Sequence, residues 1–345
     1  MTLSIIAGAL LAGGTAPTPI EVSELRPKAY RTWSIELPAD AFHKVAGTIP
    51  VPHAGGTGFA VETRGVGLAV DTTGDGTLDR VVEGRVHPET KVREARILLT
   101  GKHADGSELR YPVRLESKGK GWQWASGGAL IGELNGTAIQ VIDMDGNGRH
   151  GDVGTDAIVV GGTDVAQFVG ESVSIDGDLF ALSFDGARAR IQPFEGEVGT
   201  LDLHTAFDGK GVLLAAVVKS LDGAHSFEMS LHDEGLSVPA GEYRLVSAAL
   251  GLGKSRVTII PTEMKSLTVG SDACTELEWG APIRATFAYQ MTGSELVLDP
   301  REVKYVGAAG EQWVGWSPIG KSPKFQVKEK DSGEVLVDVV FPGSC

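Results

Sequence analysis

Two short segments carry oxygen-bearing side chains at spacings that suit a hard cation. The first holds Asp71, Thr73, Asp75, Gly76, Thr77 and Asp79, and the second holds Asp143, Asp145, Asn147, Gly148, Arg149, Asp152 and Asp156. Each has an apolar lead-in, oxygen-bearing side chains at loop positions one, three and five, a glycine at six and an apolar exit. Calcium takes roughly six to eight oxygen ligands at about 2.3–2.6 Å in a flexible cage. Alternate positions of a tight loop can aim their oxygens at one centre, and Gly76 and Gly148 permit the sharp turn that wraps the chain around it. Position seven would add a backbone carbonyl, from Thr77 or Arg149. A further carboxylate can come from Asp79 in the first copy and from Asp152 or Asp156 in the second.

Other chemistry is weakly represented. The eight histidines form no HExxH or HxH zinc signature, and no G-x-S-x-G nucleophile elbow is present. Gly146 to Gly151 spells GxGxxG, but Asp152 and Asp156 follow it where a phosphate would need a helix N-terminus. Gly253-Lys254-Ser255 lacks the first glycine of a P-loop, because Ala248 stands there. Glu195, Glu197 and Asp202 are spaced like strand-edge residues, which keeps a secreted hydrolase with a calcium-stabilised fold as one alternative. Trp122 and Trp124 alternate on one strand, and Trp313 and Trp316 flank a glycine near Tyr305. Exposed in a row, these rings would make a carbohydrate-binding platform, the other alternative.

The elements that must position these residues read as all-β. Apolar and polar residues alternate between turn pairs at Asp105-Gly106, Asn135-Gly136, Asp176-Gly177, Asp185-Gly186, Asp208-Gly209 and Asp222-Gly223. Such pairs tolerate the positive φ of a type I′ hairpin turn. No long 3.6-residue apolar stripe appears, although Pro38–Lys44 is compatible with a short helix. The chain has 345 residues, 47 of them glycine, and 42% are hydrophobic, enough for several cores built from short strands. The expected architecture is two or three antiparallel, β-sandwich-like domains with many tight hairpins. The expected divisions are 1–20, 21–193 with both acidic loops, 194–265 and 266–345.

A formal net charge of -14 opposes non-specific nucleic-acid binding and docking on an anionic membrane surface, and suits cations. Residues 1–20 read as a signal peptide, with Leu3–Ala12 as the apolar core and Gly14-Thr15-Ala16 as a small-residue cleavage site. No later stretch is apolar enough for a transmembrane segment. The two cysteines, Cys274 and Cys345, are in no metal or redox spacing, and leave open a bridge or two thiols.

The acidic segments resemble the D-x-[DN]-x-[DN]-G calcium loops of EF-hands and dockerins, and still more the loops of integrin-type propeller repeats, where a strand follows the ligands. Both depart from the EF-hand at position twelve, where Val82 and Gly154 replace the bidentate glutamate. Val238-Pro239-Ala240-Gly241-Glu242-Tyr243-Arg244-Leu245 resembles the PAG-x-Y-x-L segment of carboxypeptidase-regulatory-like and prealbumin-like sandwiches. That resemblance implies an edge strand with its aromatic packed inward. Leu130 to Arg190 is similar to a recurrent unit of exported bacterial β-rich proteins, to which no reaction is tied. Together these readings imply a non-catalytic, exported protein of the cell envelope or matrix. Calcium would be structural, and the partner would be a cell-surface protein or polysaccharide.

Overall fold

A computed structural model describes residues 21–117, 121–293, 295–299, 302–316 and 324–340. The expected signal segment 1–20 lies outside the described residues, as does Cys345 and with it any bridge to Cys274, whose own side chain is exposed. The fold is all-β, and the described residues contain no α-helix. Pro38–Lys44 is not helical: Asp40 accepts the Phe42 N–H at 3.0 Å, an Asx turn that competes with helix formation, and His43–Lys44 joins a sheet.

The first sandwich holds the first acidic loop. A sheet of Thr48–Ile49, Phe59–Arg64, Gly67–Val70 and Arg80–Val82 covers a five-stranded sheet of His43–Lys44, Gln123–Ser126, Glu108–Ser117, Arg93–Lys102 and Arg85–Val86. Ile49, Phe59, Leu68, Leu99, Leu115 and Trp124 fill the core between them.

The second sandwich is discontinuous in sequence. Glu21–Glu24 pairs with Arg188–Pro193, and Arg26–Ala29 pairs with Gly128–Leu134. The first sandwich is therefore inserted between the opening strands of the second and the rest of it. Two-residue turns at Asn135-Gly136 and Asp176-Gly177 have positive φ at both positions, as the sequence implies. The strand at 157–160 and the end of 137–142, at Val141–Ile142, are continuous apolar runs because the sheet is covered on both faces there. Ile139, Val141 and Ile158 face the core of the second sandwich. Ile142, Ala157 and Val159 face a separate cluster that includes Ile35, Met144, Phe168 and Val217.

Val217 belongs to the third sandwich. Its main sheet runs in the order Ser226–Glu228, Val212–Ser220, Gly241–Leu252, Ser255–Ile260, Gln312–Val314, Lys304–Val306 and Arg284–Thr286. Strands on either side of residue 265 share this sheet, with Ile259 opposite Trp313, and they share one core. Two short pairings are parallel, and one explains why Asp208-Gly209 is not a hairpin turn: Phe207–Asp208 runs parallel to Trp279–Gly280. Tyr243 packs inward, fully buried, and its hydroxyl donates to the Pro239 carbonyl at 2.9 Å. Its strand is not an edge, since it pairs with Val212–Ser220 on one side and with Ser255–Ile260 and Leu267–Val269 on the other.

Tyr243→Phe leaves the Pro239 carbonyl without its donor. It is expected to lower unfolding stability by about 1 kcal/mol, read as a lower urea midpoint at unchanged slope. Tyr243→Ala also empties the core there and is expected to cost about 3–5 kcal/mol.

Candidate metal centre in the second acidic loop

The two acidic loops close on the same backbone clamp. In the first, Asp71 Oδ1 accepts the Gly74 N–H at 2.8 Å and Oδ2 accepts the Gly76 N–H at 2.8 Å. In the second, Asp143 Oδ1 accepts from Gly146 at 2.6 Å and Oδ2 from Gly148 at 2.7 Å. A second carboxylate then takes the N–H of loop position two. Asp79 does so at Thr72, at 2.9 Å, and Asp156 does so at Met144, also at 2.9 Å. Asp156 is thus the counterpart of Asp79, reached after a longer excursion through residues 149–155. Asp156 also accepts the N–H groups of Gly151 and Asp152, at 2.8 and 3.0 Å.

Only the second loop gathers its carboxylates. One oxygen from each of Asp143, Asp145 and Asp156 falls in a group whose members lie within 4.8 Å of one another. Among the described residues, no other set of three acidic, histidine or cysteine side chains meets this condition. Asp143 and Asp156 are buried and Asp145 closes the triad on the solvent side. No described lysine or arginine forms an ion pair with any of the three.

Asn147 donates to Asp145 at 3.0 Å and to Asp152 at 2.6 Å, and its own Oδ1 accepts the Arg149 N–H at 2.7 Å. Asp152 sits outside the triad, and the Arg149 side chain turns toward it at 3.8 Å. In the first loop Asp71 is buried, but Asp75 and Asp79 are exposed. Asp75 accepts the Thr77 N–H at 2.8 Å, Asp79 bonds the Thr72 hydroxyl at 2.8 Å, and Thr73 stays against Asp71. These residues close the turn among themselves, and their carboxylates are not gathered as in the second loop.

The second loop also touches all three sandwiches. Tyr111 of the first donates its hydroxyl to Asp143 Oδ2 at 2.8 Å, and His43 Nε2 meets the Met144 carbonyl at 2.9 Å. A Cβ on Gly146, which has φ of 73°, would stand 2.3 Å from the Trp124 ring. Lys219 of the third sandwich donates to the Gly154 carbonyl at 2.6 Å. Tyr111, His43 and Lys219 lie far away in sequence, and no motif marks them.

The electrostatics follow from burial without a counter-charge. Burial pushes Asp143 up to about 6, against the opposing hydrogen bonds from Tyr111, Gly148 and Gly146. Burial, and then the Asp143 charge, push Asp156 up to about 7. Burial and the Asp143 charge raise the Tyr111 hydroxyl well above the usual tyrosine value. Burial pulls His150 down to about 4, so it stays neutral beside the loop. A divalent cation would neutralise two desolvated carboxylates that water reaches poorly and no base relieves.

The other sequence candidates do not assemble. Trp122, Trp124 and Trp313 are buried, and Trp316 is half-buried against Tyr305 and Trp313, so no exposed aromatic row exists there. Glu195 and Glu197 face solvent, while buried Asp202 accepts the N–H groups of His204 and Thr205. No helix of the described residues is long and apolar enough to cross a membrane. No protein-family model, curated protein or solved structure matches the chain significantly.

Asp143 and Asp156 hold a proton more tightly folded than unfolded. Their contribution to stability is therefore fully present below their ordinary value of 3.8 and is lost as pH rises through about 6 and 7. In chelator, stability is expected to fall more from about pH 5 to about pH 8 in the wild type than in Asp156→Asn. Urea titrations of both proteins at the two pH values measure that difference.

Proposed function

We propose that this chain is a non-catalytic, exported, calcium-binding protein of the cell envelope or matrix, structural or interaction in type. The ion sits in the second acidic loop. The observation that carries this reading is the convergence of Asp143, Asp145 and Asp156 with no basic partner. Asp143 and Asp156 supply buried oxygens and Asp145 a solvent-side oxygen. Asn147 can turn its amide oxygen inward when the ion replaces its own bonds to Asp145 and Asp152, and the Arg149 carbonyl and water complete the shell. The first loop has the same backbone clamp without the gathered carboxylates, and acts as a self-closed turn.

Calcium here holds geometry and turns over no substrate. The loop it fixes carries contacts to all three sandwiches, so the ion stiffens the junction between them. Binding confined to the folded state adds about 2.7 kcal/mol at a hundredfold excess over the dissociation constant.

The test is a thermal melt in calcium and in chelator, for the wild type and for Asp145→Asn. Asp145 holds no core contact, only the N–H and amide of Asn147, so the variant folds like the parent in chelator. The expected wild-type response to calcium is a rise in Tm of roughly 5 °C or more. Asp145→Asn is expected to lose most of it. Superimposable wild-type melts with and without calcium would overturn the reading.

A further inference from the structure

A hollow of about 410 Å³ opens where three parts of the chain meet. One wall is the crossing segment 33–42, one is the strand Glu108–Ser117, and one is formed by Gly241–Leu252 and Ser255–Ile260. Its volume falls within the range of small-molecule sites, which favour such junctions. Trp33, Phe42, Asp40, Arg114 and Thr258 give it its chemistry.

Arg114 is the unusual member. Its guanidinium carbon lies 3.6 Å from the centre of the Trp33 ring and 5.1 Å from that of Phe42. Its Nε donates to the Ser126 carbonyl at 2.8 Å. It forms no ion pair with any described residue, in a chain whose net charge is -14. Of the nearby carboxylates, Glu36 pairs with Arg256 through both oxygens, Asp40 Oδ1 takes the Phe42 N–H, and Glu116 and Asp40 act on Arg114 through their charge without an ion pair to it. Burial, followed by the neighbouring charge of Arg96, pulls Arg114 down to about 10. It remains cationic at neutral pH, favoured by the charges of Glu116 and Asp40, and no described carboxylate forms a direct ion pair with it.

We propose that this hollow binds a hexuronate, the sugar-acid unit of acidic polysaccharides, with its carboxylate on the terminal amino groups of Arg114. An arginine fork matches a carboxylate in two parallel hydrogen bonds. Asp40 and the Thr258 hydroxyl offer acceptors and a donor for sugar hydroxyls, and the Phe42 ring offers an apolar face to the ring C–H groups. An aromatic acid would leave those polar wall groups unused. The hollow is shallow and broadly open to solvent, so a longer chain of sugars can continue outward. This inference rests on the reading of the chain as an interaction protein and supplies its ligand class. It does not require the ion.

The experiment is calorimetric titration of the full chain, in chelator, with D-glucuronate, a galacturonate trimer, D-glucose and benzoate. Three proteins are compared: wild type, Arg114→Gln, and Ala39→Trp, which fills the hollow from its exposed rim and keeps Arg114. Both sugar acids are expected to bind the wild type, the trimer more tightly, and glucose is expected not to bind. Arg114→Gln is expected to weaken binding by roughly tenfold or more, and Ala39→Trp to abolish it. The proposal is overturned if neither sugar acid binds, if benzoate binds as well as glucuronate, or if Ala39→Trp binds like wild type. Chelator separates this result from the calcium reading. Sugar-acid binding without any calcium-dependent melt would sink only the ion, and the reverse pattern would sink only the hexuronate.

Discussion

The Asp143 carboxylate is the interaction on which the second loop and its surroundings depend. It accepts two N–H groups of its own loop and the Tyr111 hydroxyl of another sandwich. Without those donors a buried carboxylate would be untenable, and without the carboxylate two loop amides would be buried unpaired. One side chain therefore fixes the local turn and ties it to a distant strand. The neighbouring contacts extend this arrangement. Trp124 presses on Gly146, His43 meets the Met144 carbonyl, and Lys219 reaches the Gly154 carbonyl. A loop that reads locally as a turn is the place where three cores are held in register.

The five-stranded sheet behind that loop makes the same connection in apolar terms. Val141 and Ile142 are adjacent in sequence and point into different clusters. Ile158 and its neighbours Ala157 and Val159 do the same. A single sheet thus serves as a wall of the second sandwich and as a floor for the third. The hollow beside Arg114 lies at the edge of this junction, where the segment 33–42 crosses from one sandwich to the next.

Much of the fold was legible because strand alternation and turn chemistry are local. Asn135-Gly136 and Asp176-Gly177 turn where their sequence says they should, and the meander at 172–193 is built as the pattern implies. The clamp residues Asp71, Asp143 and their glycines were also visible. What was not visible is non-local. Asp156 closes the second loop in the role of Asp79, a choice between Asp152 and Asp156 that spacing alone leaves open because of the intervening excursion. Tyr111 and Lys219 join the loop only through tertiary packing. Alternating tryptophans look the same in sequence whether they face solvent or a core, and here packing claimed them. A short parallel pairing at Phe207–Asp208 overrode a good turn dipeptide for the same reason.

The insertion of one sandwich inside another sets an order of assembly. The N-terminal strand at Glu21–Glu24 finds its partner only at Arg188–Pro193, and Arg188 meets Glu24 across a separation of 164 residues. Closing so long a loop is slow, whereas the inserted sandwich draws its strands from residues 43–126 alone. During synthesis or refolding the inserted sandwich can therefore complete its core first. In the host sandwich, Arg26–Ala29 can pair as soon as Gly128–Leu134 arrives, but Glu21–Glu24 stays unpaired until the last hairpin. The strand waiting longest is 21–24, and it carries Glu21 and Glu24 with most side chains exposed. Charge on a waiting edge discourages pairing with a neighbouring chain, so the same residues that finish the host sandwich also protect it while it is unfinished.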